Sequence, residues 1–474
     1  MKLVITITFT LLLARITSAA GPTFNRDIAP ILYQNCAGCH RPNAVAPFPL
    51  LTYKDAAKHA NLIALVTAKR FMPPWKAEPQ EHGFEDERRL SNAEIAAIGE
   101  WVRDGAPEGD PKQKPTPPQF AIGWQAGKPD AIVRMDHPFR IPPDGPDIFQ
   151  CFVVPLHSTE DEYVKTFEFH PGNARVVHHA LVYLDSSGAA QKLDAATPET
   201  GYSCFGGPQI QPSGMLGGWV PGATPRPLPS GAAQTMKKGT SLVIQVHYHP
   251  SGRPETDQSS IGLTFGEVPA KGVTRIIAGT RQIDLPPGNA QYQVTDSISV
   301  PEDADLIGIA PHAHLLCKDM KVDAHFPDGR TEQLIRIKDW DFNWQGEYRY
   351  TTPVHLPKGT QIDMRYMYDN STRNPHNPSN PPKRVTYGEQ TKDEMALVFL
   401  QVLLPHPQDV AVFRREFFLE RIDQFLRGAA PVDVHPASAA RLHALIPRFD
   451  VNHNGTLEPD ERLAMIEFLK GRLR

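Results

Sequence analysis

The 474-residue sequence has little net charge and few segments that could cross a membrane. Basic and acidic residues nearly balance, and the formal charge of −4 argues against a nucleic-acid partner. Beyond the first twenty residues we find no apolar run long enough to span a bilayer. Aromatic residues make up only 8% of the chain, whereas 47 prolines and frequent Pro-Gly turns favour strands and loops over a helical bundle.

Residues 1–20 have the features of a secretory signal peptide. Lys2 is the charged start, Leu3–Ala14 is the apolar run, and the small residues at 18–20 form a cleavage site. The apolar run is too short to cross a membrane, although an uncleaved N-terminal anchor is the alternative. We therefore expect an exported protein, periplasmic or extracellular, with no membrane span in the mature chain.

Two of the five cysteines belong to a haem-attachment motif. Cys36-Ala37-Gly38-Cys39-His40 is the C-x-x-C-H pattern of a c-type haem, in which both thiols bond the haem and His40 is the proximal axial ligand. A disulfide or half of a zinc site is the alternative. The segment resembles the small class I cytochrome c modules that are fused to exported bacterial enzymes.

A low-spin haem that carries electrons also needs a sixth ligand, which is often methionine. Met72 is the preferred candidate because it is the only methionine between residues 21 and 118. His59 and His82 are the alternatives.

Composition and periodicity predict a multidomain, mainly β protein. Short alternating runs from about residue 119 to 410 favour two consecutive β-sandwiches, with helical segments before and after them. The predicted order is a signal peptide (1–20), a helical cytochrome c-like domain (21–109), a linker (110–118), two sandwiches (119–270 and 271–425) and a helix–loop–helix (426–474).

Three histidine strings and one methionine string stand out in the β region: Val-His-His-Ala at 177–180, Gln-Val-His-Tyr-His at 245–249, Pro-His-Ala-His at 311–314 and Asp-Glu-Met at 393–395. Histidine is the commonest ligand of copper and zinc. A thioether is a poor zinc ligand and a good Cu(I) ligand, so the combination favours copper.

The two histidine pairs differ in what a strand allows. Neighbours such as His178 and His179 point to opposite faces, so both reach one ion only at a strand end, twist or bulge. His312 and His314 share a face.

The remaining candidates keep alternatives. His247 and His249 lie on one face of a predicted strand and compete as third ligand, or serve only as residues of the sheet face. A methionine such as Met395, taken alone, is more often a residue of the core than a ligand.

In this order and spacing, the groups resemble the type II copper, ascorbate-dependent monooxygenase family, which includes the peptide-amidating hydroxylase and dopamine β-monooxygenase. The resemblance covers about residues 125–410 and implies two jelly-roll-like sandwiches that face each other across a solvent-filled cleft. It implies an electron-transfer copper and a catalytic copper that binds O2 and attacks a substrate C–H bond. Their implied ligands are His178, His179 and His247 for the first copper and His312, His314 and Met395 for the second.

Cysteines and three substitutions refine the resemblance. Cys151 and Cys204, which can pair in an oxidising compartment, match positions that form a disulfide in the family. Cys317 is left over as a buried thiol or an adventitious soft ligand. Where peptide-amidating members place arginine, asparagine and tyrosine to hold a peptide carboxylate, this sequence has Ala310, Leu397 and Phe399. We therefore expect a less polar substrate.

Residues 450–461 match the spacing of an EF-hand calcium loop. Gly455 provides the turn, and helical flanks are expected on both sides. The predicted oxygen ligands are Asp450, Asn452, Asn454, the Thr456 carbonyl and Glu461.

Taken together, the sequence predicts an exported copper monooxygenase with two coppers, one c-type haem and a calcium loop. Its expected partners are O2, a small organic substrate and an external reductant or redox partner. The alternatives are a haem and copper electron carrier without oxygenase activity, and an interaction protein whose histidines have lost catalysis.

Overall fold

The computed structural model of the protein describes residues 21–42 and 44–472, so the predicted signal segment 1–20 lies outside the described residues. Contacts between backbone positions divide the chain into two compact units. The first contains the described residues up to Pro74 together with Arg88–Gln119, and the second contains Trp75–Glu87 and the chain from Phe120 onward. The unit boundaries therefore differ from the predicted 21–109, because residues 75–87 pack with the second unit.

The first unit is built from short helices. They are a π-helical turn at Phe24–Ile28, α1 (Ala29–Asn35), α2 (Tyr53–Lys58), α3 (Ala60–Ala68), α4 (Asn92–Arg103) and a 3-10 turn at Pro111–Gln113. Helix α4 begins at a capping box, in which the Ser91 and Glu94 side chains each accept the other residue's backbone N–H. Ile98 and Trp101 of α4 are buried in one core with Phe24.

Segment 75–87 joins the second unit through aromatic packing. Trp75 meets Tyr348 edge to face with ring centroids 5.2 Å apart, and the Phe84 ring lies 5.1 Å from Tyr350. Phe84 and Tyr350 also form an antiparallel backbone bridge. Aromatic area removed from water explains why this segment leaves the helical unit.

The first sandwich spans β1 to β11. A five-stranded sheet has the order β6-β3-β9-β5-β7, a four-stranded sheet has the order β1-β11-β4-β8, and β10 pairs with β2. Val182 and Ile244 of the first sheet share a buried core with Val164 and Ile261 of the second. The elements are β1 (Ala131–Arg134), β2 (Phe139–Ile141), β3 (Ile148–Pro155), β4 (Glu162–His170), β5 (Val177–Asp185), α5 (Ala189–Ala195), β6 (Tyr202–Ser203), β7 (Gly214–Trp219), β8 (Gln234–Met236), β9 (Ser241–Tyr248), β10 (Glu255–Asp257) and β11 (Ser260–Phe265).

The second sandwich follows the same plan. Sheets of order β12-β21-β15-β18 and β14-β19-β16-β17 face each other, and β13 pairs with β20. Leu306 and Val398 of one sheet share a core with Met320 and Met364 of the other. The strands are β12 (Gly272–Gly279), β13 (Asp284–Leu285), β14 (Tyr292–Ser299), β15 (Ala304–His312), β16 (Cys317–His325), β17 (Thr331–Ile337), β18 (Tyr348–Leu356), β19 (Gln361–Tyr368), β20 (Val385–Thr386) and β21 (Leu397–Leu404).

Three helices close the chain: α6 (Asp409–Leu426), α7 (Pro436–Phe449) and α8 (Pro459–Arg472). Arg421 fixes α6 to the second sandwich. Its fully buried guanidinium lies 2.8 Å from Asp296 and 2.9 Å from Asp433, and it donates to the Gly279 carbonyl. Ile422 of α6 also shares an apolar cluster with Leu442 of α7 and Met465 of α8.

The prediction of a mainly β chain is confirmed, and the strands of its sheets pair antiparallel. Within the described residues, none of the helices is both long enough and apolar enough to span a membrane.

Candidate metal centres

His178 and His179 reach the same side of the sheet because of a β-bulge in β5. Val177 pairs with Tyr248 of β9 and His179 pairs with His247, which leaves His178 as the extra residue. Residues 242, 244, 246 and 248 of β9 face the sandwich core, so the alternation turns His247 to the opposite face. The bulge therefore brings the imidazoles of His178, His179 and His247 to one side of the sheet. A bulge is one of the irregularities that would let both neighbouring histidines reach one ion.

The Nδ1 atoms of these three imidazoles converge. The His178 and His179 Nδ1 atoms are 3.1 Å apart, and the His179 and His247 Nδ1 atoms are 3.4 Å apart. Two nitrogens bound to one ion at about 2 Å lie about 3.3 Å apart in a tetrahedral arrangement. The His178–His179 pair and the His179–His247 pair are therefore each spaced like two nitrogens on one ion.

His249 belongs to the same group. His178, His247 and His249 each offer a ring nitrogen within 4.8 Å of the others, an arrangement that could hold a metal ion. His249 lies just beyond β9, and its Nδ1 is 2.6 Å from Asp147 Oδ1. We call His178, His179, His247 and His249 the first histidine cluster.

His312 and His314 form the second histidine cluster, at the end of β15. His312 Nδ1 donates to Gln345 Oε1 at 2.6 Å, and His314 Nδ1 donates to the Asp393 carbonyl at 3.1 Å. Because Nδ1 is the donor in both rings, Nε2 is the nitrogen left to bind a metal. The ring centroids are 5.3 Å apart.

Glu394 fixes the backbone around the second cluster and Met395. This fully buried carboxyl accepts the N–H groups of His314 at 2.9 Å, Leu316 at 2.5 Å and Met395 at 3.3 Å. The Tyr368 hydroxyl holds the Met395 carbonyl at 2.6 Å. Met395 is itself buried at the start of the segment that leads into β21.

A single aromatic ring contacts both clusters. Phe342, in the loop between β17 and β18, stacks on His178 with centroids 5.2 Å apart and meets His314 edge to face at 5.5 Å. The two sandwiches therefore present their histidines to one another across Phe342.

Burial keeps His178, His312 and His314 neutral. Burial, reinforced by neighbouring histidines, lowers the pKa of His178 to about 3. Burial likewise lowers the pKa of His312 to about 4 and that of His314 to about 3, although contacts with Gln345 and the Asp393 carbonyl oppose the shift. At neutral pH their lone pairs are therefore available to a metal without the loss of a proton.

Sequence reasoning missed the side chains that orient the two clusters. Asp147, Gln345 and Phe342 come from other parts of the chain, and in the sequence Glu394 stands only as the middle residue of the Asp-Glu-Met string. Asp147 is 102 residues from His249, and Gln345 is 33 residues from His312. No local pattern marks such partners, since only the fold brings them to the histidines.

The cysteines of the second unit separate into a disulfide and a buried thiol. Cys151 of β3 is bonded to Cys204, which confirms the expected pairing. Cys317 is free and 2% exposed, and its Sγ lies 3.9 Å from the Asp319 carbonyl. This environment is that of a core thiol.

In the first unit, the C-x-x-C-H motif forms a turn at the end of α1. Cys36 and Cys39 are free thiols, and burial followed by the proximity of Cys39 raises the pKa of Cys36 to about 12. His40 Nδ1 donates to the Phe48 carbonyl at 3.0 Å, which leaves Nε2 for an axial bond. The turn therefore offers two thiols and an oriented imidazole, the groups that a c-type haem requires.

The three candidates for the sixth haem ligand are placed differently. The Phe48 ring contacts His40 at 4.9 Å and stacks on His59 at 3.9 Å. Met72 follows α3 and donates its N–H to the Val66 carbonyl. His82 belongs to the second unit, where its Nε2 is 3.0 Å from Glu332. His59 is thus the candidate that contacts the same Phe48 ring as His40.

The predicted calcium loop connects α7 and α8. Asp450 accepts the N–H groups of Asn454 and Gly455 at 3.2 and 2.8 Å, and Glu461 accepts those of Val451 and Glu458. Asn452 and Asn454 also accept N–H groups within the loop, the latter from Thr456. The carboxylate and amide oxygens are therefore gathered by the loop itself, which fits a site for a hard cation.

No family model matches the chain, and no curated protein matches it either. Solved structures give weak likenesses. They include VP2 of infectious bursal disease virus (8% identity, TM-score 0.18, 61% of this chain and 75% of that chain) and the capsid protein P2 of bacteriophage PM2 (9% identity, TM-score 0.18, 48% and 99%). Another is xanthan lyase of Paenibacillus (11% identity, TM-score 0.16), of which the chain covers only 29%. TM-scores this low carry no argument about fold or function.

Proposed function

We propose that this chain is an exported copper-dependent monooxygenase that hydroxylates a C–H bond of a small organic substrate with O2, using electrons relayed through a c-type haem. One observation carries the proposal: histidine clusters on two sandwiches contact the same Phe342 ring. One cluster holds only imidazoles, while the other adjoins a buried methionine, so two coppers of different character would be bound. The disulfide fits an oxidising compartment.

The two proposed coppers have separate sets of ligands. His178, His179 and His247 would hold one copper through Nδ1, and His312, His314 and Met395 would hold the other. Copper bound at these positions supplies one-electron redox chemistry and activates O2. The chain supplies neutral imidazoles, and Gln345 and the Asp393 carbonyl keep Nε2 of the second cluster turned toward its metal.

The surface beside His312 favours an apolar substrate. Ala310 and His312 of β15 pair with Phe399 and Leu397 of β21. Because Val398 and Leu400 face the core, Leu397 and Phe399 point to the opposite face, on the same side as His312. A carboxylate would find no cationic partner among these four side chains, so we propose a substrate with an apolar group at the reacting carbon.

Haem and calcium complete the proposal. Cys36 and Cys39 would bond the haem, His40 would be its proximal ligand, and Met72 or His59 would be the sixth ligand. Bound haem supplies one-electron transfer. Asp450, Asn452, Asn454, the Thr456 carbonyl and Glu461 would bind Ca2+, with a structural role for the loop.

Metal analysis of the mature protein, followed by a screen for substrate-dependent O2 uptake, tests the function. We expect two coppers and one haem per chain, and O2 uptake that Met395→Ile abolishes. Met364→Ile is the matched control, since Met364 is a core methionine of the same sandwich, and it should retain uptake. Copper without O2 uptake would favour an electron carrier, and less than one copper per chain would contradict both functions.

The proposed electron path has its own test. Stopped-flow mixing of reduced protein with O2 should show haem reoxidation that depends on copper. Haem that stays reduced in the copper-loaded protein would contradict the relay.

A further inference from the structure

Four imidazoles, one more than the predicted set, are neighbours in the first histidine cluster. His178 lies 5.0 Å from His247 and 4.4 Å from His249 between ring centroids, and His179 lies 4.7 Å from His247. His247 and His249 are also 4.7 Å apart. The His249 ring is therefore as close to the rings of His178 and His247 as the three predicted ligands are to each other.

The chain builds His249 into this position. Its backbone N–H donates to the Val176 carbonyl at 2.9 Å, which continues the pairing of β9 with β5 past the end of the strand. Its Nδ1 donates to Asp147 Oδ1 at 2.6 Å. A histidine that gives Nδ1–H to a carboxylate keeps its lone pair on Nε2, and metal-binding histidines are commonly oriented by such a carboxylate.

Asp147 is held in place by Thr391 and lies beside both His249 and His247. Its Oδ2 accepts the Thr391 hydroxyl at 2.5 Å and the Thr391 N–H at 3.3 Å, and it lies 3.3 Å from His247 Nε2. The His247 Nε2 is buried, and its approach to Asp147 does not meet hydrogen-bond geometry. The carboxylate thus orients His249 firmly and places a negative charge beside the cluster.

We propose that His249 is a fourth ligand of the first copper, binding through Nε2 and completing a four-imidazole set with His178, His179 and His247. The inference rests on the proposed copper at this cluster. Nitrogens bound to one ion at about 2 Å are at most about 4 Å apart, so the ring nitrogens of His178, His247 and His249, which lie within 4.8 Å of one another, need to close by less than about 1 Å. Nitrogen donors suit Cu(II), so a fourth imidazole from His249 would favour the oxidised ion at this site.

The test counts imidazoles on copper. In a parent that carries His312→Asn and His314→Asn, the first cluster remains as the only copper site that we propose. Electron spin-echo modulation of the Cu(II) protein should detect four imidazoles in the parent and three in His249→Gln. The copper midpoint potential should rise in His249→Gln, because the ligand set that favours Cu(II) is lost.

His355→Gln is the matched control. His355 also gives its Nδ1 to a carboxylate, Asp305 at 2.9 Å, but this pair is exposed on β18. Four imidazoles and an unchanged potential are expected in this variant.

The outcomes separate the inference from the proposed function. A parent that binds copper with only three imidazoles overturns the fourth ligand and leaves the monooxygenase proposal standing. A parent that binds no copper overturns both. The parent count decides even if His249→Gln fails to fold.

Discussion

Replacement of Glu394 by glutamine should change how the stability of the second sandwich depends on pH. Glu394 is fully buried, and burial raises its pKa to about 8, although the backbone N–H groups that it accepts oppose the shift. An unfolded glutamate ionises near its ordinary value of 4.5. Between these two values the folded state holds more protons than the unfolded state, so raising the pH across this window destabilises the wild type.

The magnitude follows from the size of the window. One pKa unit corresponds to about 1.4 kcal/mol, so the wild type should lose about 4 kcal/mol between about pH 5 and about pH 9 through this group. Glu394→Gln cannot ionise there and should not take part in this loss. At low pH the variant should be the less stable of the two by an amount that does not depend on pH, because both Glu394 oxygens accept backbone N–H groups and the amide nitrogen of glutamine cannot accept one.

Hydrogen exchange of the metal-free protein at increasing urea measures the effect locally, on peptides from β15 and β21. The free energy of unfolding of Glu394→Gln relative to wild type should move in the variant's favour by about 4 kcal/mol as the pH rises. Glu302→Gln, which removes a partly exposed carboxyl of the same sandwich, controls for the loss of one charge. A difference that is constant with pH, or that moves against Glu394→Gln, would refute the reasoning.

Three further predictions concern the metal sites and the helical end of the chain. Because burial lowers the pKa of His178, His179 and His247, copper affinity measured by chelator competition should fall by much less than a thousandfold between about pH 8 and pH 5.5, whereas three ordinary histidines would lose about a thousandfold. Arg421→Ala should lower the free energy of unfolding in urea by about 3–5 kcal/mol, because it leaves the carboxylates of Asp296 and Asp433 without their cation. Arg415→Ala on the same helix should lower it by less than about 1 kcal/mol, and equal losses would contradict the role of the buried Arg421. Calcium at a hundredfold excess over Kd should protect α7 and α8 from hydrogen exchange by about 2.7 kcal/mol in wild type and not in Glu461→Gln, and equal protection in both would argue against this loop as the site.

Local patterns predicted the elements that carry the site. The alternation along β9 placed His247 opposite the core, and the adjacency of His178 and His179 required an irregular strand, which the structure provides as a bulge. These features could be predicted because side-chain direction on a strand depends only on position.

Partners from distant parts of the chain could not be predicted. Asp147 and Gln345 sit in polar, irregular sequence, and their roles depend on loops that the fold brings to the histidines. The same limit applies to residues 75–87, whose aromatic side chains meet Tyr348 and Tyr350 more than 260 positions later. Periodicity carries no information on pairings of that range.

Because residues 75–87 belong to the second unit, the first unit is a discontinuous domain. The chain crosses the boundary between the two units three times: after Pro74, before Arg88 and after Gln119. No single cut between residues can excise it. A shortened protein that begins at Phe120 would strip Trp75 and Phe84 from Tyr348 and Tyr350 and leave an apolar patch open to self-association. Exchange of the first unit for another module, by recombination or by engineering, would therefore need to keep residues 75–87, so that Trp75 and Phe84 still cover Tyr348 and Tyr350.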